Sequence, residues 1–426
     1  AERPAEAERG RPPQHGVDWW WRHRQNNVAS WWVHYDQFRQ GFGALGGGDV
    51  NLVAGRDARN VQVATPSSGY LVTGGTQAGV TREFVGGNAS IQAGRDVVGG
   101  FALVGGDRLD VSAGRNMLVG NDGIGLQVLH GNTDIELSAR NDLTVGRVSE
   151  TGPVSAGPQS GNAGSAARGF LLAGLAPDAS LVMISTAGDL VYQSRRPETA
   201  SRPLETTAAQ RVMPADALFA APEGSVELAG ISQVPAQNSR LNVFAKENVD
   251  LQDGVAVNGA TPSLSSVRDV TAAEINTLAT TVFGGKLAPV QQGEVSPVRI
   301  VAQEGDVTFG SGGSVAMATP LRILAGRDIR LQTREVAMQH QDARNLSLLQ
   351  AGRDVLLQAS LINSGTSLTL QGPGDLLVTA GRNVDLGTSG GIGAVGNRQN
   401  SALPEGSARI TVLAGISPEG ADYLQA

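Results

Sequence analysis

One tetrapeptide, Ala-Gly-Arg followed by Asp or Asn, occurs six times in this chain of 426 residues. The copies start at Ala54, Ala93, Ala113, Ala325, Ala351 and Ala380. They put Gly55 and Asp57, Gly94 and Asp96, Gly114 and Asn116, Gly326 and Asp328, Gly352 and Asp354, and Gly381 and Asn383 at equivalent positions. Neighbouring copies lie 20, 26, 29 or 39 residues apart, and short alternating apolar stretches flank them, such as Ile323–Leu324 before and Ile329–Leu331 after one copy. A fixed turn between strands, repeated every ~20–30 residues, is a signature of a solenoid. The expected architecture is therefore all-β: a right-handed parallel β-helix with loop excursions. Its hand follows the general preference of parallel crossover connections.

Degenerate turns fill most of the gaps. Ala139-Arg140-Asn141-Asp142 leads into Leu143, Ala187-Gly188-Asp189 into Leu190, Ala245-Lys246-Glu247-Asn248 into Val249, and Glu304-Gly305-Asp306 into Val307. Roughly ten to thirteen coils result, and at about 4.8 Å per coil they make a rod of roughly 50–60 Å. The turn has a physical task. Ala and Gly let the chain round a corner without a clash, Gly tolerates positive φ, and Asp or Asn bonds local backbone and tolerates the left-handed region. Stacked Asn residues favour one another, whereas Asp over Asp needs Arg or water to offset the repulsion. Alternation along each strand sends Leu52, Ile91, Val111, Ile323, Leu331, Val355 and Leu357 inward.

Composition fits a narrow core with many corners: 57 glycines and only 4% aromatic residues. Each coil of a solenoid contacts only its neighbours, so this length needs no division into globular domains. The formal net charge of -7 and pI near 5.4 argue against a nucleic-acid partner, which would call for a basic face. Cationic charge is nearly all Arg; Lys246 and Lys286 are the only lysines. The chain has no Cys, hence no disulfide and no thiolate metal site. No apolar run is long enough for a membrane-spanning helix, and Ala1 to Gln14 has no apolar core of a signal peptide.

All five tryptophans, Trp19, Trp20, Trp21, Trp31 and Trp32, fall in one short stretch, followed by Tyr35, Phe38 and Phe42. Trp31, Tyr35 and Phe38 share a face at helical spacing. A short amphipathic helix capped by Asn27 or Ser30 is expected, packing its aromatic face along the solenoid to shield apolar surface and strand edges. The other reading is an aromatic platform for a glycan or a membrane interface. The chain thus divides into a disordered tail over 1–16, an aromatic helical cap over 17–47, a β-helix over 48–416 and a C-terminal tail over 417–426. Insertions are expected near 151–169, 194–224, 259–297 and 387–407. Long loops on a regular scaffold are where function usually sits.

Two flanking stretches carry a family resemblance. The run from Trp31 to Phe38, continued by Gly41-Phe42-Gly43-Ala44-Leu45-Gly46-Gly47-Gly48-Asp49-Val50, resembles a stretch of large filamentous-haemagglutinin-like exoproteins of Gram-negative bacteria. So does Gly391-Ile392-Gly393-Ala394-Val395-Gly396-Asn397-Arg398-Gln399-Asn400, running through Leu403-Pro404 to Ile410 and Gly415. The coils between are similar to that family's haemagglutinin repeats, so the resemblance spans about Asp18 to Ile416. It implies an internal or C-terminal-region segment of a two-partner-secretion protein. Such proteins pass unfolded through an outer-membrane β-barrel transporter and fold outside as a fibre. The chain shows neither that family's N-terminal secretion domain nor a recognisable toxin domain.

The resemblance implies a secreted or cell-surface segment mediating attachment, aggregation or biofilm formation. Its partners would be host or bacterial glycans or proteins, or further copies of itself. One alternative is a delivery stalk for a C-terminal toxin. Another is a β-helical polysaccharide-active enzyme, which would need unique carboxylates converging in one groove. Asp57, Asp96, Asp328 and Asp354 recur at one repeat position, the pattern of turn formers rather than of a catalytic pair. The five histidines, His15, His23, His34, His130 and His340, form no metal-binding motif. No catalytic residue, cofactor or metal is expected.

Overall fold

The computed structural model describes residues 20–25, 28–33, 41–71, 81–121, 123–150, 178–193, 213–233, 239–257, 296–310, 315–333, 335–358, 367–397, 403–417 and 420–421. Among them it is all β, a parallel β-helix with three faces. Face 1 is a twelve-stranded parallel sheet in which each strand pairs with the next coil's. Its strands number the coils 1 to 12: Val50–Ala54, Ala89–Ala93, Arg108–Ala113, Asp134–Ala139, Ser180–Ser185, Asp216–Ala221, Arg240–Ala245, Val298–Ala302, Leu321–Ala325, Leu346–Ala351, Asp375–Ala380 and Arg409–Ala414. Twelve coils span about 53 Å at ~4.8 Å per step.

After face 1 the chain turns one corner into the short strands of face 2, such as Val97–Val98, Val307–Phe309 and Ile329–Leu331. It then enters face 3, for example Phe101–Val104, Leu126–His130 and Val315–Met317. In three coils a single strand, Leu143–Glu150, Val226–Ser232 or Val249–Val257, serves both faces. The register shift between Ala229 and Ile231, beside Gly230 at φ 72°, accommodates one such bend.

The strand phase is as expected. Ile91, Val111, Ile323, Leu331, Val355 and Leu357 are buried in one continuous core, and Leu52, in the first coil, packs partly against it. The interior also takes large rings where coils offer room. Tyr192 and Phe219 are fully buried with ring centroids 6.0 Å apart.

Several expectations change. The aromatic segment is no helix where it is described. Trp20–Gln25 and Val28–Val33 pair antiparallel, with Trp20 opposite Val33 and Trp21 opposite Trp32. They extend through Ser68–Leu71 to Thr81–Phe84 in a four-stranded antiparallel sheet. Backbone pairing with the Ser68–Leu71 hairpin overrides a helical spacing that rested on three residues; aromatic and β-branched residues suit strands. Trp19, Tyr35 and Phe38 lie outside the described residues.

The solenoid pairing begins before residue 48, because Gly41–Gly43 pairs in parallel with Gln62–Thr65. The expected excursion over 194–224 contains coil 6: Asp216–Ala221 stacks between its neighbours, and Ala221-Pro222-Glu223-Gly224-Ser225 forms its turn. Gly391–Val395, expected in an insertion, is a face 3 strand paired with Ser367–Gln371. The insertion near 151–169 lies outside the described residues, as does that near 259–297 up to residue 295.

Candidate functional site

The repeated tetrapeptides stack at one corner, between faces 1 and 2. Ala54, Ala93, Ala113 and Ala139 pair in register, as do Ala302, Ala325, Ala351, Ala380 and Ala414. Above each Asp sits the Arg of the next coil. Arg95 Nε and Nη2 donate to Asp57 at 3.0 and 2.8 Å. Arg327 does the same to Asp306 at 3.0 and 3.1 Å, and Arg353 to Asp328 at 3.0 and 2.7 Å. Arg115 grips Asp96, and Arg382 grips Asp354.

Asp96, Asp306, Asp328 and Asp354 also accept the backbone N–H of the next coil's Asx residue. Asn116 N donates to Asp96 at 3.2 Å, Asp328 N to Asp306 at 3.1 Å and Asn383 N to Asp354 at 3.1 Å. Asn116 and Asn383 add their side-chain amides, each at 3.1 Å. Charge-assisted, two-pronged bonds of this kind are strong and directional. Asp over Asp is thus stabilised by Arg, as the spacing required; the motif arginines act between coils, and Arg59 and Arg330 add bonds to Asp57 and Asp328 within their own coils.

Electrostatics follow the geometry. The Arg115 guanidinium holds Asp96 down to about 2, against the desolvation that opposes it. Arg95 likewise lowers Asp57. Burial pushes Asp306 and Asp328 up, and Arg327, Arg353 and backbone amides more than reverse it.

The motif glycines have a different reason from the expected positive φ. None of Gly55, Gly94, Gly114, Gly326, Gly352 and Gly381 has one. A Cβ on Gly94 would lie 2.4 Å from Gly55 O, and one on Gly352 would lie 2.1 Å from Gly326 O. The backbone of the coil below occupies the space.

This corner has a fixed length. Three or four residues link the face 1 strand to face 2 in each of coils 1 to 11. The corner between faces 3 and 1 is the opposite. The long links 66–88, 151–179, 193–215, 258–297 and 396–408 all end on a face 1 strand there. Three of them fall within coils 4 to 7. Those same coils lack the Arg of the tetrapeptide, carrying Asn141, Gly188, Gly224 and Glu247 instead. Their ladder persists through backbone N–H donors: Asp189 N donates to Asp142 at 3.2 Å, Ser225 N to Asp189 at 2.8 Å and Asn248 N to Ser225 Oγ at 3.3 Å.

Face 3 departs from simple alternation of buried and water-facing residues. Both sides of Phe101–Val104 are buried. Ala102 and Val104 join the interior, while Phe101, Leu103 and Ala64 form a second cluster outside it with Leu45 and Leu129. Ala316 and Ala337 are buried in the same manner further along. Near the C-terminal end Asn397 is buried and ties distant segments together. Its side-chain amide donates to His340 O at 3.1 Å and Pro404 O at 2.9 Å. His340 Nδ1 lies 2.8 Å from Pro373 O and its Nε2 2.8 Å from Ser347 Oγ. The sequence offered Asn397 only as part of a Gly-rich motif, and no repeat marks it.

Among the described residues, no group of three or more His, Cys, Asp or Glu side chains is placed to hold a metal ion. No described helix is long and apolar enough to cross a membrane. No family model matches the chain, and no curated protein or solved structure matches it. What the geometry defines is a β-helical scaffold with one length-constrained corner and one corner that tolerates insertions.

Proposed function

We propose that this chain is a segment of a secreted, surface-exposed bacterial fibre of filamentous-haemagglutinin-like type, acting in attachment, aggregation or biofilm formation. An outer-membrane β-barrel transporter of the two-partner-secretion kind exports it. Glycans or proteins of host or bacterial surfaces are its ligands. The coils serve as scaffold, and binding is carried at the corner between faces 3 and 1.

The observation that supports this reading is that the five longest links all end on a face 1 strand at that corner, with three of them within coils 4 to 7. Repeating coil exteriors offer similar polar strips, whereas links free in length and composition can vary in shape and chemistry. Many weak contacts along a fibre then sum to firm attachment.

The experiment replaces 151–177 and 258–295 with three-residue links copied from Gly131–Thr133, which joins coils 3 and 4. Circular dichroism should keep its β signature, while adhesion to cells and to immobilised glycans should fall by about tenfold or more. Unchanged adhesion by a folded variant would remove the binding role from these links.

A further inference from the structure

The outer side of face 1 carries an ordered pattern of charge and apolar groups. Three columns of side chains point outward there, and two of them carry the pattern. In the first, register pairs Ile184 with Ala220, Ala220 with Phe244, Phe244 with Val301 and Val301 with Leu324. This apolar column runs from coil 5 to coil 9, with Ser112 and Ser138 before it and Gln350 and Thr379 after it. All five of its members are at least partly exposed; Leu324 reaches 38%. The second column reads Asp110, Glu136, Val182, Leu218, Asn242, Arg299, Arg322 over coils 3 to 9. Its two acids occupy coils 3 and 4, and its two arginines occupy coils 8 and 9. Both arginines are exposed, and neither has an ion-pair partner among the described residues.

The midpoint of this pattern is coil 6, at Leu218 and Ala220. A twofold axis lying along that strand reverses the order of coils and keeps each column opposite itself. Arg299 then faces Glu136 of a second copy, and Arg322 faces Asp110. Phe244 meets Ile184, and Leu218 and Ala220 meet their own counterparts. Arg108 leans on Asp110 at 2.7 Å and Glu136 at 3.6 Å from the strand's edge; with Asp134 beside it, the acidic end keeps two net negative charges. Asp216, in coil 6, is already held by Arg240, whose Nε lies 3.1 Å from Oδ1.

We propose that two copies of this chain associate side by side and antiparallel through the outer side of face 1, on a twofold axis at coil 6. Isologous, self-complementary surfaces of this kind are the commonest basis of dimers. The matched patch is about 17 Å along the strands and about 29 Å along the rod. It covers roughly 1,000 Å² in total, the low end for a specific interface, so the dimer dissociates on dilution. The inference does not rest on the adhesive role of the links, because no residue of either column belongs to one.

Sedimentation velocity of the 426-residue chain across a concentration series tests it. Wild type should shift from monomer to dimer as concentration rises. Phe244→Glu should remain monomeric with an unchanged β spectrum. The double variant Arg299→Glu/Arg322→Glu and the double variant Asp110→Arg/Glu136→Arg should each be monomeric alone and dimerise when mixed. Because the chain has no Cys, single cysteines report geometry cleanly. A bis-maleimide with a spacer of about 8–10 Å, matched to the spacing of packed sheets, should cross-link Ala220→Cys into a dimer and leave Thr379→Cys monomeric. A wild type that stays monomeric, charge-reversed variants that fail to rescue one another, or equal cross-linking at both cysteines would overturn the proposal.

Discussion

Arg353 grips Asp328, in the coil beneath it, with Nε at 3.0 Å from one carboxylate oxygen and Nη2 at 2.7 Å from the other. The Asp328 side chain is only 2% exposed, so its charge relies on this partner, on Arg330 and on the Asp354 amide. Arg353→Ala should lower unfolding stability by about 1–3 kcal/mol, the range for a lost bond to a buried charge. Arg344→Ala removes a pair that is 78% and 38% exposed, and should leave stability nearly unchanged. Urea titration of the two variants checks the contrast.

The ladder is sensitive to strong acid. Asp96 is held at about 2, below its ordinary 3.8. Its folded form binds a proton less readily than the unfolded chain. Its contribution is therefore complete above the ordinary value and lost as pH falls from about 3.8 towards about 2. Asp96→Asn should flatten stability against pH in that window while lowering it at neutral pH. Equal slopes for wild type and variant would contradict the assignment.

A second acid effect begins at milder pH. Burial pushes His130 down to about 4, from an ordinary 6.5, and lowers His340 as well. Both stay neutral in the fold when the unfolded chain has taken up protons, so stability present above 6.5 declines as pH falls below it. The urea midpoint should be lower at pH 5 than at pH 7.5. His130→Gln should reduce that drop.

Gly352 and Gly55 hold the same place in the repeat and differ in what lies beneath them. A Cβ on Gly352 would meet Gly326 O at 2.1 Å, whereas one on Gly55 has nothing within 4 Å. Gly352→Ala should destabilise by about 1–3 kcal/mol, as overpacking does. Gly55→Ala should be nearly silent. Thermal unfolding of the two variants separates a backbone clash from a general loss of chain freedom.

The coil architecture was legible because the turn is copied: alternation around Ile323 and Leu331 fixed which side chains fill the interior. Coil 6 was hidden because its turn contains Pro222 and lacks Arg, which made a stacked coil look like a proline-rich excursion. The aromatic stretch misled for a different reason. Three residues at helical spacing are a weak constraint beside a strand partner, Ser68–Leu71, that lies far along the chain. Asn397 was not legible at all. Its role depends on His340 and Pro404 meeting in space, and no local pattern encodes a contact across 57 residues.

The ladder runs in one direction. In every motif Arg–Asp bond and every backbone N–H to side-chain bond described between coils, the acceptor oxygen belongs to the earlier coil and the donating N–H to the later one, from Asp142 to Asn383 and from Asp57 to Asn116. The column is therefore chemically polar in its side chains: a bare upper end exposes carboxylate oxygens and a bare lower end guanidinium groups, while the backbone edge offers both N–H and C=O at either end. A chain delivered N-terminus first lays down a row of waiting oxygens before the arginines that need them arrive. Each finished coil is then a seed for the next, and growth proceeds by capture at one tip. A chain delivered the other way round would present its arginines to empty space.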